Sequence, residues 1–139
     1  MKAKLAGLAA AAGLLLIAVP VFAHHSFAAE FDVKQPITLK GTVTKVEWTN
    51  PHVWIYIDVA AADGTVQHWQ TENGAPNALV RMGWTRHSLN VGDQVTIEGF
   101  RAKNDDRTAN ARVVTLADGH KVFSGSPGDG GPKSKDSDE

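Results

Sequence analysis

From Pro36 onward apolar residues recur at nearly every second position, the period of strands with one buried face. In "ITLKGTVTKVEW" Ile37, Leu39, Gly41 and Val43 share one face, and the apolar positions then change phase to Val46 and Trp48. A phase change inside one strand predicts a bulge or sharp bend, and Gly41 permits the close approach that a long, curved strand needs. "HVWIYIDVA" follows, with Val53, Ile55, Ile57 and Val59 alternating against Trp54, Tyr56 and Asp58. Its β-branched and aromatic content predicts a second strand. "ADGT" supplies the Asp-Gly pair of a tight hairpin turn, and "TVQHWQTE" is the return strand, with Val66 and Trp69 on opposite faces.

The period changes in "NGAPNALVRMGW". Pro76 suits a first helical turn, Leu79 with Met82 or Val80 can point inward, and Gly83 is a stop, which predicts a short helix. "LNVGDQVTIEGFRAK" returns to strand with Val95 and Ile97 inward, "NDDRT" is a polar loop, and "ANARVVTLADGHKVF" is read as a last strand through Leu116 with a tight turn at Asp118-Gly119. The order β-β-β-α-β-β predicts a mainly β fold: a small five-stranded, OB-like Greek-key barrel with one short helix between strands 3 and 4. A curved first strand serves both halves of such a barrel. The same short strands could also build a β-sandwich or an SH3-like barrel.

The ends of the chain have different composition. Lys2 and Lys4 precede an apolar run from Leu5 to Val19, and Val21-Phe22-Ala23 places small residues at −3 and −1 of a cut. This is the layout of a signal peptide over residues 1–23; the run is shorter than the roughly 20 apolar residues of a membrane span. The expectation is therefore an exported, periplasmic protein with no stable membrane insertion after cleavage. Residues 124–139, "SGSPGDGGPKSKDSDE", have no aliphatic or aromatic side chain to offset ordering entropy and are read as a disordered tail. Between them lie an N-terminal segment, 24–35, and one barrel domain, 36–123, a length sufficient for a single core.

Charge and cysteine usage narrow the function. The 14 basic and 15 acidic residues become 12 against 15 once Lys2 and Lys4 are removed. A mildly acidic chain is a poor partner for nucleic acid, whose binding rests on clustered Lys and Arg. No cysteine is present, which excludes disulfides, thiolate metal sites and cysteine nucleophiles. No HExxH, Gly-rich phosphate loop or identifiable Ser-His-Asp arrangement occurs, so a non-catalytic role is expected. Asp63 and Asp118 are explained by their turns and Asp105 and Asp106 by a loop. Arg101, Lys103, Arg107 and Arg112 read as a basic, solvated side of strands 4 and 5.

A barrel of this type binds across strands 2 and 3 and the loops joining strands 1 to 2 and 4 to 5. Here that surface holds Asn50, His52, Trp54, Tyr56 and His68, the expected contacts for a small ligand or a periplasmic protein partner. For Trp54 and Tyr56 the competing reading is burial, and for His52 a local hydrogen bond.

"AHHSFAAEFD" (Ala23 to Asp32), "GTVTKVEWTNPHVWIYIDV" (Gly41 to Val59) and "GDQVTIEG" (Gly92 to Gly99) resemble domain-of-unknown-function family 6152, small exported bacterial proteins. The matching motif residues are His24, His25, Ser26, Phe27, Trp48, Asn50, Pro51, His52 and Trp54. The resemblance implies export and a β-barrel domain but no mechanism.

The His pair raises an alternative function. After a cut at Ala23, His24 carries both an α-amine and an imidazole, which chelate one metal ion, and His25 adds an imidazole. Such nitrogen donors suit Cu(II). His52, with His68 as the alternative, is the expected third ligand if the tail folds over the barrel mouth, and Phe27 and Phe31 give it apolar surface with which to dock, each worth about 1.5 to 3 kcal/mol when buried. The alternative is thus a periplasmic copper-handling protein using His24, His25 and His52.

Overall fold

The computed structural model describes residues 27–105 and 107–125; His24 and His25 lie outside them. A four-residue helix α1 (Phe27–Glu30) leads into β1 (Phe31–Glu47). There follow β2 (Trp54–Ala60), β3 (Val66–Glu72), helix α2 (Pro76–Arg81), β4 (Gln94–Ala102), β5 (Thr108–Thr115) and β6 (Lys121–Phe123). The structure has six strands rather than the expected five, in the order β3-β2-β1-β4-β5-β6. The sixth arises because the turn at Asp118-Gly119 does not end the fold. Leu116 N–H donates to His120 O at 2.9 Å and sends the chain back along β5. Three short residues with one exposed and two half-buried positions carry too little pattern to be read as a separate strand.

β1 serves both halves of the barrel as its curvature predicts. Pro36 to Thr42 pair with β4, while Thr42 to Glu47 pair with β2. The expected phase change is a bulge between Val43 and Lys45, where Val43 donates instead to Asp93 O at 2.8 Å and accepts from Gly92 N–H at 2.8 Å. Gly41 is needed here: a Cβ on it would stand 2.5 Å from the Asp58 carbonyl oxygen. Parallel pairing of β3 with β5, at Gln70↔Thr108, Thr71↔Ala109 and Glu72↔Asn110, closes the barrel. All other pairings are antiparallel, the arrangement of an OB-like barrel.

Leu39, Val43, Val53, Ile55, Ile57, Trp69, Val95, Ile97, Ala109, Ala111 and Val114 fill the interior. Helix α2 starts at Pro76, sends Leu79 fully into this core and leaves Val80 exposed. Gly83, at φ +94°, ends it as the sequence predicts. Among the described residues no helix is long and apolar enough to cross a membrane.

Candidate functional site

Strand alternation sorts the side chains of the closing strands. Ile55 and Ile57 of β2, Thr71 of β3, and Ala109 and Ala111 of β5 point to the core, so the residues between them face outward. Cross-strand register then arranges the outward residues in rows. Trp54 lies opposite Glu72 and Glu72 opposite Asn110; Tyr56 lies opposite Gln70 and Gln70 opposite Thr108; Asp58 lies opposite His68.

The first row contains the least ordinary feature of this face. Glu72 is 9% exposed and Asn110 2%, although both lie outside the barrel interior. His52 Nδ1 stands 2.8 Å from Glu72 Oε1. A buried carboxylate is costly unless paired, and a charge-assisted bond to an imidazole is one way to hold it. His52 precedes the inward Val53 and therefore shares the outward face with Trp54. Its side chain remains 25% exposed. The His52 ring in the β1–β2 loop is thus paired with a carboxylate of β3.

The second and third rows border a groove of about 310 Å³, lined by Thr44, Tyr56, His68 and Gln70 with Asp105 and Arg107 of the β4–β5 loop. Gln70 is held at two points by the chain entering β5: its side chain donates to Thr108 Oγ1 at 2.8 Å, and its N–H to Arg107 O at 3.0 Å. His68 Nδ1 stands 2.6 Å from Asp58 Oδ1 and is largely exposed. Arg107 N–H donates to Asp105 Oδ1 at 2.9 Å, which shapes the loop side of the groove.

Tyr56 is half-buried on this face rather than in the core, and so is Trp54. The Tyr56 hydroxyl donates to Glu47 Oε2 at 2.9 Å, Glu47 also pairs with Lys45, and the Lys45 ammonium lies 5.1 Å from the Tyr56 ring centre. Hydrogen bonds from Lys45 and then Tyr56 hold the Glu47 carboxyl below its ordinary 4.5. Burial, with the bond to Glu47, raises the Tyr56 phenol. An NMR titration should therefore find the Glu47 midpoint below 4.5, and Tyr56→Phe should move it part of the way back, Lys45 remaining. The folded carboxyl gives up its proton more readily than the unfolded one. Its stabilisation is therefore fully present above the unfolded value and is lost as pH falls through the folded value. A midpoint unmoved by Tyr56→Phe would show that the phenol does not hold Glu47.

The structure thus brings together Tyr56 and His68 at the groove and His52 and Trp54 in the row beside it. Asn50 does not join them: it is exposed in the β1–β2 loop, where its carbonyl accepts from Thr49 Oγ1 at 3.3 Å and a cis peptide links it to Pro51. The basic residues of β4 and β5 are not simply solvated. The Arg101 guanidinium lies 5.4 Å from the Trp69 ring centre, that of Arg112 5.5 Å from Phe100, and Lys103 Nζ donates to Ala28 O at 2.6 Å. Sequence reasoning missed Glu72, Thr108 and Asn110. Glu72 continues the alternation of His68 and Gln70, but its burial depends on which strand closes the barrel. Among the described residues no group of three or more His, Asp or Glu stands close enough to hold a metal ion by itself.

A family model described as "Family of unknown function (DUF6152)" matches residues 11–111. No curated protein matches the chain. Among solved structures, the mitochondrial single-stranded DNA binding protein Rim1 of S. cerevisiae is similar at 9% identity and a TM-score of 0.45, over 60% of this chain and 93% of that one.

Proposed function

The chain belongs to the family of unknown function DUF6152, which carries no activity with it, and from the site we propose an exported, non-catalytic binding module that takes a small ligand or protein partner on the outer face of β2, β3 and β5. The groove of about 310 Å³ beside the half-buried Tyr56 carries this reading. An aromatic wall, a fixed amide at Gln70, and polar groups of both signs at Asp105 and Arg107 converge on one concave place. Recognition sites combine apolar lining with a few positioned polar groups in this way. The position also coincides with the strand 2–3 face and the strand 4–5 loop through which OB barrels bind. The net acidic balance of the mature chain favours a ligand other than nucleic acid.

The test is a backbone-amide NMR titration with indole, a short neutral oligosaccharide and a neutral tripeptide, run in parallel. Saturable shifts confined to Tyr56, His68, Gln70 and Arg107, and abolished by Gln70→Ala with Tyr56→Ala, support the site. Shifts that instead map to the groove bounded by Lys40, Thr42, Gln94 and Thr96 would move the binding function elsewhere.

A second reading, copper handling through His24, His25 and His52, is favoured by the His52–Glu72 pair.

A further inference from the structure

The groove beside Tyr56 opens onto an unfinished strand edge. β3 pairs along its whole length with β2, but β5 reaches it only at Gln70, Thr71 and Glu72. Thr65 O accepts from Ala61 N–H and Asn73 N–H donates to Val53 O, so the odd-numbered residues of β3 turn their N–H and C=O groups toward β2. The even-numbered residues turn theirs the other way, in keeping with the bond from Gln70 N–H to Arg107 O. Val66 and His68 therefore each present an N–H and a C=O to a side on which, among the described residues, no strand pairs with them.

An edge of this kind is a template for another strand unless lysine, proline or a bulge blunts it. None of these interrupts the run from Val66 to Trp69, and Val66 is 54% exposed. The edge also borders the groove, with His68, Trp69 and Gln70 on one side and Asp105 and Arg107 on the other.

The place where an added strand must stop is fixed as well. A strand laid against Val66 and His68 lies in line with β5, one strand spacing or about 4.8 Å from β3. The next position along that line, beside Gln70, is taken by Arg107 O and Thr108. A chain running in the direction of β5 has to end there. Arg107 supplies the charge at that point: its side chain is exposed, and its guanidinium is paired with none of the described carboxylates. Asp105 turns an oxygen to the loop itself, accepting from Arg107 N–H, while Asp58 and Glu47 are engaged by His68 and Lys45. A guanidinium fork matches a carboxylate.

We propose that this edge binds the C-terminal end of a partner protein as an added strand. The last residues of the guest pair in parallel with Val66 and His68, and its terminal carboxylate is received by the Arg107 guanidinium. The proposal rests on the binding-face reading above and narrows its ligand to an extended peptide that ends in a free carboxylate. In strand addition, main-chain bonds give affinity and alternate side chains give specificity.

The test is a backbone-amide NMR titration of the protein with acetylated Val-Thr-Val-Thr in three forms: the free acid, the C-terminal amide, and the free acid N-methylated at every residue. The free acid is expected to shift the Val66, His68 and Arg107 amides saturably and to slow hydrogen exchange at His68. The amide form should bind about 10–100-fold more weakly, the loss of one charge-assisted bond. Arg107→Gln should impose the same loss on the free acid and none on the amide form. The N-methylated peptide, which lacks main-chain donors, should leave His68 unprotected. Equal affinity of acid and amide forms, or undiminished acid binding in Arg107→Gln, overturns the proposal at its carboxylate. Full binding by the N-methylated peptide, or free-acid shifts that miss Val66 and His68, overturns it at the strand edge. Val66 and His68 amides that move when the protein alone is diluted assign the edge to a second copy of this chain, which also overturns it. If the peptide fails while indole or the oligosaccharide still shifts Tyr56 and Gln70, this narrowing fails and the groove reading stands; if no probe shifts either set, both fail.

Discussion

Gly99→Ala is expected to abolish cooperative folding or to lower stability by more than about 4 kcal/mol, the range reserved for severe steric or network failures. A Cβ on Gly99 would stand 1.7 Å from the Asn110 carbonyl oxygen and 2.8 Å from its carbonyl carbon. These are backbone atoms of β5 and cannot rotate away. Asn110 is also one of the three β5 residues paired with β3, so displacing it would disturb the barrel closure and the Glu72 row together. The register shift between β4 and β5 falls between Glu98 and Gly99, at this close approach of the two backbones. Since a domain's total stability is about 5–15 kcal/mol, such a loss leaves little folded protein. Gly64→Ala is the control: its added Cβ meets nothing within 4 Å, and its cost is confined to φ +83°, about 1–2 kcal/mol. Urea denaturation followed by tryptophan fluorescence checks both. A Gly99→Ala midpoint close to that of Gly64→Ala would sink the close-approach argument.

Trp84→Ala should cost about 3–5 kcal/mol, as large aromatic deletions from cores do. The indole is 3% exposed and packs in the core with Leu79 and Leu89. Its Nε1–H donates to Phe123 O at 2.9 Å, which ties the turn after α2 to β6. Trp84→Phe keeps an aromatic ring in place but removes the donor and part of the ring volume, so a smaller loss of about 1–3 kcal/mol is expected. The two substitutions should also separate in hydrogen exchange. Ser124 N–H, bonded to Arg112 O at 2.7 Å, should lose most of its protection in Trp84→Ala and little in Trp84→Phe. Equal protection in both would mean that β6 is held by β5 alone.

The site was legible in proportion to how local its determinants are. Tyr56, His68 and Gln70 fall on one face because β2 and β3 form a hairpin, and alternation on either side of an Asp-Gly turn is enough to place them. His52 was legible as a residue at the barrel mouth, but its partner was not. Glu72 lies twenty positions away, and the two meet only after the strand register is set. The buried polar cluster at the end of β3 was equally hidden. Asn73 is fully buried, donating to Thr71 O at 2.9 Å and accepting from the Ser124 hydroxyl, while Gly74 N–H donates to Ser124 O at 2.7 Å. Composition predicts a disordered tail from Ser124 onward, because serine and glycine carry no apolar signal. Ser124 itself is ordered by hydrogen bonds to a distant loop.

By itself, the amino-acid sequence determined the periodic features: strands with alternating faces, a bulge where the phase changes in β1, a glycine there that permits close approach, a proline-started helix ended by Gly83, and three glycine turns. Each depends on residues a few positions apart, where propensity and φ preferences act directly. Only the tertiary structure decided the sixth strand, the parallel contact of β3 with β5, the crossing at Gly99, the His52–Glu72 pair and the anchoring of Phe27 on Phe100. Those depend on which strand lies beside which. Closing a barrel selects one set of distant neighbours from many that the same alternation would permit, and it does so through the summed burial of a shared core rather than through any local run of residues.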